Sequence, residues 1–170
     1  MIIGVMSDTH GNRRLMHQVA DAMRALHNAD LIFHVGDDYA DAEELAAAGH
    51  AVRMVPGLYC AEYHDEGIPN RIVVQCDDIT VSAAHAEKDL RATERAATVV
   101  LTGHTHVARV MKAGRSLHVN PGHLKNPNLD RGERPSFAII DTGDGSVEVT
   151  IYELTGEPRM RHRFSRADLA

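Results

Sequence analysis

"MIIGVMSDTHGN", residues 1–12, holds the reading that decides the fold. Residues 1–6 form a continuous apolar run, and Ser7, Asp8, Thr9, His10, Gly11 and Asn12 break it at once. An apolar run without alternation is how a strand buried on both faces reads, and the polar cluster is its exit loop. Beyond it, Leu15, Val19, Ala22, Met23 and Leu26 recur at helical spacing over residues 13–27, with Asn12 at the N-cap position. The unit of strand, polar loop and helix then repeats. Residues 30–38 ("DLIFHVGDD") are a second apolar run into acids, 41–49 a short helix closed by Gly49, and 51–57 a third strand. This alternation predicts an α/β sheet with right-handed crossovers.

The second half is richer in strands. "NRIVVQC" and "ITVSAAH" flank Asp77-Asp78 and read as a hairpin, and residues 86–97 read as a helix. "TVVLTGHTH" is another apolar run into a polar loop. "VARVMK", "RSLHVNPG", "SFAIIDT" and "SVEVTIYEL" follow as strands, the last pair joined by the turn "GDG". The tail from residue 159, with Arg159, Arg161, Arg163 and Arg166, reads as a solvated basic end.

At 170 residues the chain is expected to form a single domain over residues 1–170. A net charge of −6 and 4% aromatics, without tryptophan, argue against a nucleic-acid partner. Two cysteines, Cys60 and Cys76, suit a reduced setting better than a disulfide scaffold. The N-terminus lacks a basic region and no apolar run approaches the length of a membrane span, so a cytoplasmic protein without a membrane partner is expected. The chain also has 12 histidines, and their placement carries the functional reading.

Asp8 and His10 follow the first strand, Asp37 and Asp38 the second, and the loop "VPGLYCAEYHDEG" (55–67) the third; His85 ends "ITVSAAH", and His104 and His106 follow "TVVLTG". Ligands of open α/β sheets bind at the C-terminal ends of strands, where residues remote in sequence meet. Imidazoles and carboxylates gathered there without matching lysines or arginines call for a cation, and the number of donors suits more than one.

Together, "DTHGN" with Asp8 and His10, "GDD" with Asp37, His85, "GHTH" with His104 and His106, and "NPG" at 120–122 resemble the calcineurin-like metallophosphoesterases. The match is best to their short single-domain phosphodiesterase branch, which includes the retromer subunit of this fold. It extends to the Ser-aromatic-Ala segment in "RPSFAII". The resemblance implies an αββα sandwich, two mixed β-sheets flanked by helices, with two divalent metal ions (Mn, Zn, Fe or Ni) at one edge. It makes Asp8, His10 and His106 ligands of the first ion, Asp37 the bridging carboxylate, and His85 and His104 ligands of the second. Two such ions, roughly 3.5–4 Å apart, turn a bridging water into hydroxide near neutral pH and clamp the phosphoryl oxygens. Asn12 gains a second expected role on substrate phosphate, and His34 one as partner of a ligand.

The departure lies in the loop after the third strand, where relatives place Gly-Asn and this chain has Gly57-Leu58. Leucine cannot ligate a metal. Three arrangements are open: Cys60 or Glu62 takes the position, water takes it, or the centre is vestigial and the chain a noncatalytic interaction scaffold. A thiolate would bias the second site toward zinc or iron. His10 and the other ligand positions are intact, which favours chemistry. His64, Tyr59 and His123 are the candidates for a general acid. The expected activity is hydrolysis of a small phosphate ester, diesters before monoesters, and a homodimer is an open expectation.

Overall fold

The computed structural model describes residues 1–126, 132–143 and 145–169. Its first half runs β1 (Ile2–Met6), α1 (Arg13–His27), β2 (Leu31–His34), α2 (Tyr39–Ala47) and β3 (Val52–Met54). Next come β4 (Arg71–Cys76), β5 (Ile79–Ala84), α3 (Ala92–Arg95) and β6 (Val99–Leu101). The chain ends with β7 (Arg109–Ala113), β8 (Ser116–Asn120), β9 (Ser136–Asp141), β10 (Ser146–Glu153) and β11 (Pro158–Ser165). No helix among the described residues is long and apolar enough to cross a membrane.

Two mixed sheets result. The first has the order β11-β10-β9-β1-β2-β3, the second β4-β5-β6-β8-β7. In the first, β1, β2 and β3 run parallel while β9, β10 and β11 pair antiparallel. In the second, β5, β6 and β8 run parallel and β4 and β7 are antiparallel edges. The parallel strands in each sheet send their exit loops to the same side.

The period of two along β1 sorts its side chains between two layers. Ile3 and Val5 enter the core between the sheets with Phe33, Val81, Val99, Leu101, Ile140 and Val149. Met6 turns the other way, to Met16, Val19 and Met23 of α1 and Leu45 of α2. Gly4 lies on that same face, where an added Cβ would come within 2.5 Å of the Met23 sulfur; the missing side chain lets α1 seat closely. Truncating a fully buried residue such as Phe33 to Ala would cost about 3–5 kcal/mol.

Three expectations need correction. Residues 86–97 do not form one helix: a 3₁₀ turn at Glu87–Asp89 precedes the single-turn α3. Glu94, buried, accepts from the Arg91 N–H in a capping box that restarts the backbone there. Beside the second sheet the buried residues Ala84, Leu90, Ala97 and Val100 form a small cluster of their own. Nor is the arginine-rich tail a solvated end. It is the edge strand β11, whose Met160 and Phe164 pack on the core while Arg161 pairs with Glu148 and Arg159 with Glu153. Third, Asn12 occupies the N-cap of α1 but its side chain makes no cap; its amide donates to the Leu124 carbonyl at 2.9 Å. The hairpin turn at Asp77-Asp78 is as expected, while Asp144 of the expected "GDG" turn lies outside the described residues.

Candidate metal centre

The exit loops of β1, β2, β5 and β6 meet at one edge of the sandwich. Among the described residues, seven other than glycine have positive φ, and five of them are candidate ligands: Asp8 (53°), His10 (48°), Asp37 (83°), His104 (65°) and His106 (62°). Such backbone costs of order 1–3 kcal/mol per residue and persists where the surroundings impose it, typically at functional sites. Here the surroundings are visible. Gly36, at φ +91°, lies under the His85 ring, and a Cβ there would reach Nδ1 at 2.6 Å. Asn120 of "NPG" donates to the Gly103 carbonyl at 2.7 Å and to Thr105 Oγ1 at 3.1 Å, holding the "GHTH" loop. Ser136, of the Ser-aromatic-Ala segment, donates to the Pro121 carbonyl at 2.7 Å and so anchors "NPG" in turn.

Two sets of donor atoms come together. Asp8, His10 and His106 form one, and Asp8, Asp37 and His85 the other, with all donors of a set within 4.8 Å of one another. His10 Nε2 faces His106 Nε2 at 3.1 Å, His106 Nε2 is 3.3 Å from Asp8 Oδ1, and His10 Nδ1 is 2.7 Å from Asp37 Oδ2. The His85 Nδ1 proton goes to the Val35 carbonyl at 2.8 Å, which fixes the tautomer and leaves Nε2 as a lone-pair donor 4.0 Å from Asp8 Oδ1. Asp8 Oδ2 is held by the Ser7 hydroxyl at 2.5 Å and the His104 N–H at 3.0 Å, so Oδ1 is left for the centre.

Electrostatics treat the two acids differently. Burial pushes the Asp8 carboxyl up, but the hydrogen bond from His106, the nearness of His85 and the Ser7 hydroxyl outweigh it and hold it below the usual range. Asp37 stays above its usual range: burial raises it, His10 draws it down, and the neighbouring Asp8 and Asp38 push it up again. No lysine or arginine among the described residues pairs with either acid. Three imidazoles and two carboxylates converging without a fixed counter-charge are a donor set that fits borderline divalent cations.

The remaining candidates sit as follows. His104 is exposed and meets the His85 ring edge to face with centroids 5.2 Å apart, outside both donor sets. Cys60 is also outside them, because its thiol donates to the Asp37 carbonyl, and burial pushes that thiol up, keeping it protonated. Glu62 and His64 belong to a 3₁₀ turn (Ala61–His64), with the His64 ring against Tyr63, and Tyr59 is 89% exposed. His123 is buried behind the centre, its ring 5.4 Å from that of His106 and its Nε2 2.9 Å from the Glu133 carbonyl. His34 makes no hydrogen bond to a ligand. Fully buried, it has neither ring nitrogen partnered, and burial lowers its pKa to about 4.

One organising residue escapes a reading of the sequence. Asp41, in α2 and 1% exposed, accepts from Thr9 Oγ1 at 2.6 Å, from the Gly11 N–H at 3.2 Å and from Arg13 Nε at 2.9 Å. It ties both sides of His10 to the second helix. The only signal in the sequence is an acid four residues after Asp37, in a segment full of acids.

The fold and this site define a metallophosphoesterase. Residues 1–145 match the calcineurin-like phosphoesterase superfamily domain, and the chain belongs to that superfamily. Within it, the short single-domain branch is supported by relatives of the same length. The probable metallophosphoesterase YsnB of Bacillus subtilis is 26% identical over 92% of this chain and 93% of its own. A crystal structure from Streptococcus pneumoniae TIGR4, described as a predicted phosphoesterase, is 26% identical with a TM-score of 0.73, covering 97% of both chains. Vps29 of Chaetomium thermophilum shares the fold at 17% identity, with a TM-score of 0.72 over 98% of this chain and 99% of that one.

Proposed function

We infer that this chain is a metal-dependent phosphoesterase that hydrolyses a small phosphodiester at a dinuclear centre. The observation that carries the reading is the pair of donor sets sharing Asp8, built on a backbone strained at five candidate ligands. Asp8, His10 and His106 would hold one cation, and Asp37 and His85 the other, with His104 beside His85. Asp8 is the carboxylate common to both sets, and Asp37 borders the first through His10. Cations there supply Lewis acidity toward the phosphoryl oxygens and a water acidified to near neutrality.

The chain's own residues do the rest. Val35 fixes the His85 tautomer, Ser7 and the His104 N–H orient Asp8, and Asp41 holds the loop that presents His10. His123 backs the His106 ring. The Cys60 thiol, bonded to the Asp37 carbonyl, steadies the loop that carries the acid. Diesters are preferred because the branch to which the sequence is similar implies them.

A second reading is a noncatalytic interaction scaffold on the same fold, the fold that Vps29 shares. Metal analysis together with turnover of bis(p-nitrophenyl) phosphate and p-nitrophenyl phosphate separates the two. The enzyme reading expects two divalent ions per chain and a loss of about a thousandfold in kcat/KM for Asp37→Asn, roughly 4 kcal/mol of barrier. Complete metal removal without any change in activity or in partner binding would take the site out of the account.

A further inference from the structure

One cavity reaches the donor sets at His10 and Asp37, a second lies next to them at His104, whose ring meets that of His85, and the two share no lining residue. The smaller, about 330 Å³, is lined by His10, Asp37, Asp38, Tyr59 and Cys60. The larger, about 510 Å³, begins at His104 and extends over Leu58, Val107 and Val119. Lys88, Arg109 and Glu87 also line it. Its volume lies within the range of small-molecule sites, and its wall joins the apolar Leu58, Val107 and Val119 to charged and polar side chains.

The larger cavity has a charge character opposite to that of the chain. The chain carries −6 overall, yet here two cations line one cavity against one carboxylate. Neither cation is neutralised: among the described residues, no carboxylate lies within ion-pair distance of Lys88 or Arg109. Lys88 is placed by its ammonium lying 5.9 Å over the Tyr63 ring, and Tyr63 is itself pinned by its hydroxyl donating to Asp89 Oδ1 at 2.8 Å. The smaller cavity is lined by two acids and no lysine or arginine.

A phosphodiester has two ester arms on one phosphorus, and here two unlike cavities lie beside one candidate metal centre. We propose that the substrate is an unsymmetrical phosphodiester. Its larger arm, an apolar ring bearing a second anionic group, lies in the Leu58–Val107–Val119 cavity with the anion on Lys88 and Arg109. The inference rests on the phosphoesterase reading for the position of the scissile phosphate. Leu58, where relatives place asparagine, then has a use: it forms part of the wall that receives the ring. An uncharged arm gains only the apolar contact, and a phosphomonoester, with one arm, can fill only one of the two cavities.

The test compares thymidine 5′-(p-nitrophenyl phosphate) with its 3′-phosphorylated counterpart, which adds one anion to the same arm. The expected result is a kcat/KM at least tenfold higher for the 3′-phosphorylated ester, carried by KM, and equal values for the two esters in the Lys88→Ala/Arg109→Ala double variant. Equal values in the unaltered enzyme, or an advantage kept in the double variant, would overturn the proposal. Calorimetric titration with thymidine 3′,5′-bisphosphate reads the cavity independently of turnover. It should bind at least tenfold more weakly to the double variant, and equal affinity would overturn the proposal. If no ester is hydrolysed yet this difference in affinity is seen, the phosphoesterase reading fails and the cavity assignment stands.

Discussion

Along β1, β2 and β3 the strands run parallel, and the loops that leave β1 and β2 hold Asp8, His10 and Asp37 at positive φ. Along β9, β10 and β11 they run antiparallel, and no described residue other than glycine in that half has positive φ. Parallel strands send every exit loop to the same edge, so donors from remote positions can gather there; antiparallel strands send alternate loops to opposite edges. The antiparallel half instead carries ordinary stabilisation, with Arg161 on Glu148, Arg159 on Glu153 and Arg166 on Asp78. Strain and chemistry are concentrated in the parallel half, while the antiparallel half is tied by arginine–carboxylate pairs.

The halves should separate most clearly in acid. His34, at the end of β2, is neutral in the folded chain with a pKa of about 4, below the usual 6.5. The unfolded chain therefore takes up a proton between these values and the folded chain does not, so stability is full above about 6.5 and falls as pH drops toward 4. The loss approaches about 3 kcal/mol by pH 4. Urea denaturation of the metal-free protein against pH should show this slope, and His34→Phe should remove it; an unchanged slope in that variant would show that the titrating group lies elsewhere.

Next in size is Gly36→Ala, which sets a methyl group against the His85 ring in a backbone conformation that alanine resists. About 100-fold is expected to be lost from kcat/KM, near 2.7 kcal/mol. Asp41→Asn keeps the shape but weakens the hold on Thr9, Gly11 and Arg13. Metal affinity measured by competition with a chelator should fall about 10- to 100-fold, as for other residues that orient ligands. On the antiparallel half, Arg161→Ala should cost no more than about 1 kcal/mol in thermal unfolding and nothing in rate, since the pair is largely exposed. Smallest of all is Cys60→Ser: the thiol serves a carbonyl, so metal count is expected to be unchanged and the rate within about twofold. Loss of one ion in that variant would restore the thiolate to the second site.

Much of this organisation was legible in the sequence because the parallel strands are buried on both faces, and their apolar runs end abruptly at ligands. Asp8, His10, Asp37, His85 and His106 could be named for that reason. Residues 86–97 misled because their composition is helical, while Leu90 and Ala97 are drawn into the second sheet's small cluster and the Glu94 capping box restarts the chain midway. β11 could have been found from its period of two: Met160 and Phe164 face the core between outward arginines, and the charge hid the alternation. Asp41 and the Asn12–Leu124 bond depend on which loops meet in space. Local pattern does not encode that. The loop after β3 stayed open for the same reason, since only coordinates reveal that the Cys60 sulfur addresses a carbonyl.

The central claim is that one edge of the sandwich holds two divalent cations. Anomalous scattering at the zinc, iron and manganese edges, from crystals of protein purified without added metal, tests it directly. Two peaks are expected, one among Asp8, His10 and His106 and the other among Asp8, Asp37 and His85. Peaks elsewhere on the molecule, or none at this edge after soaking in each metal, would contradict it.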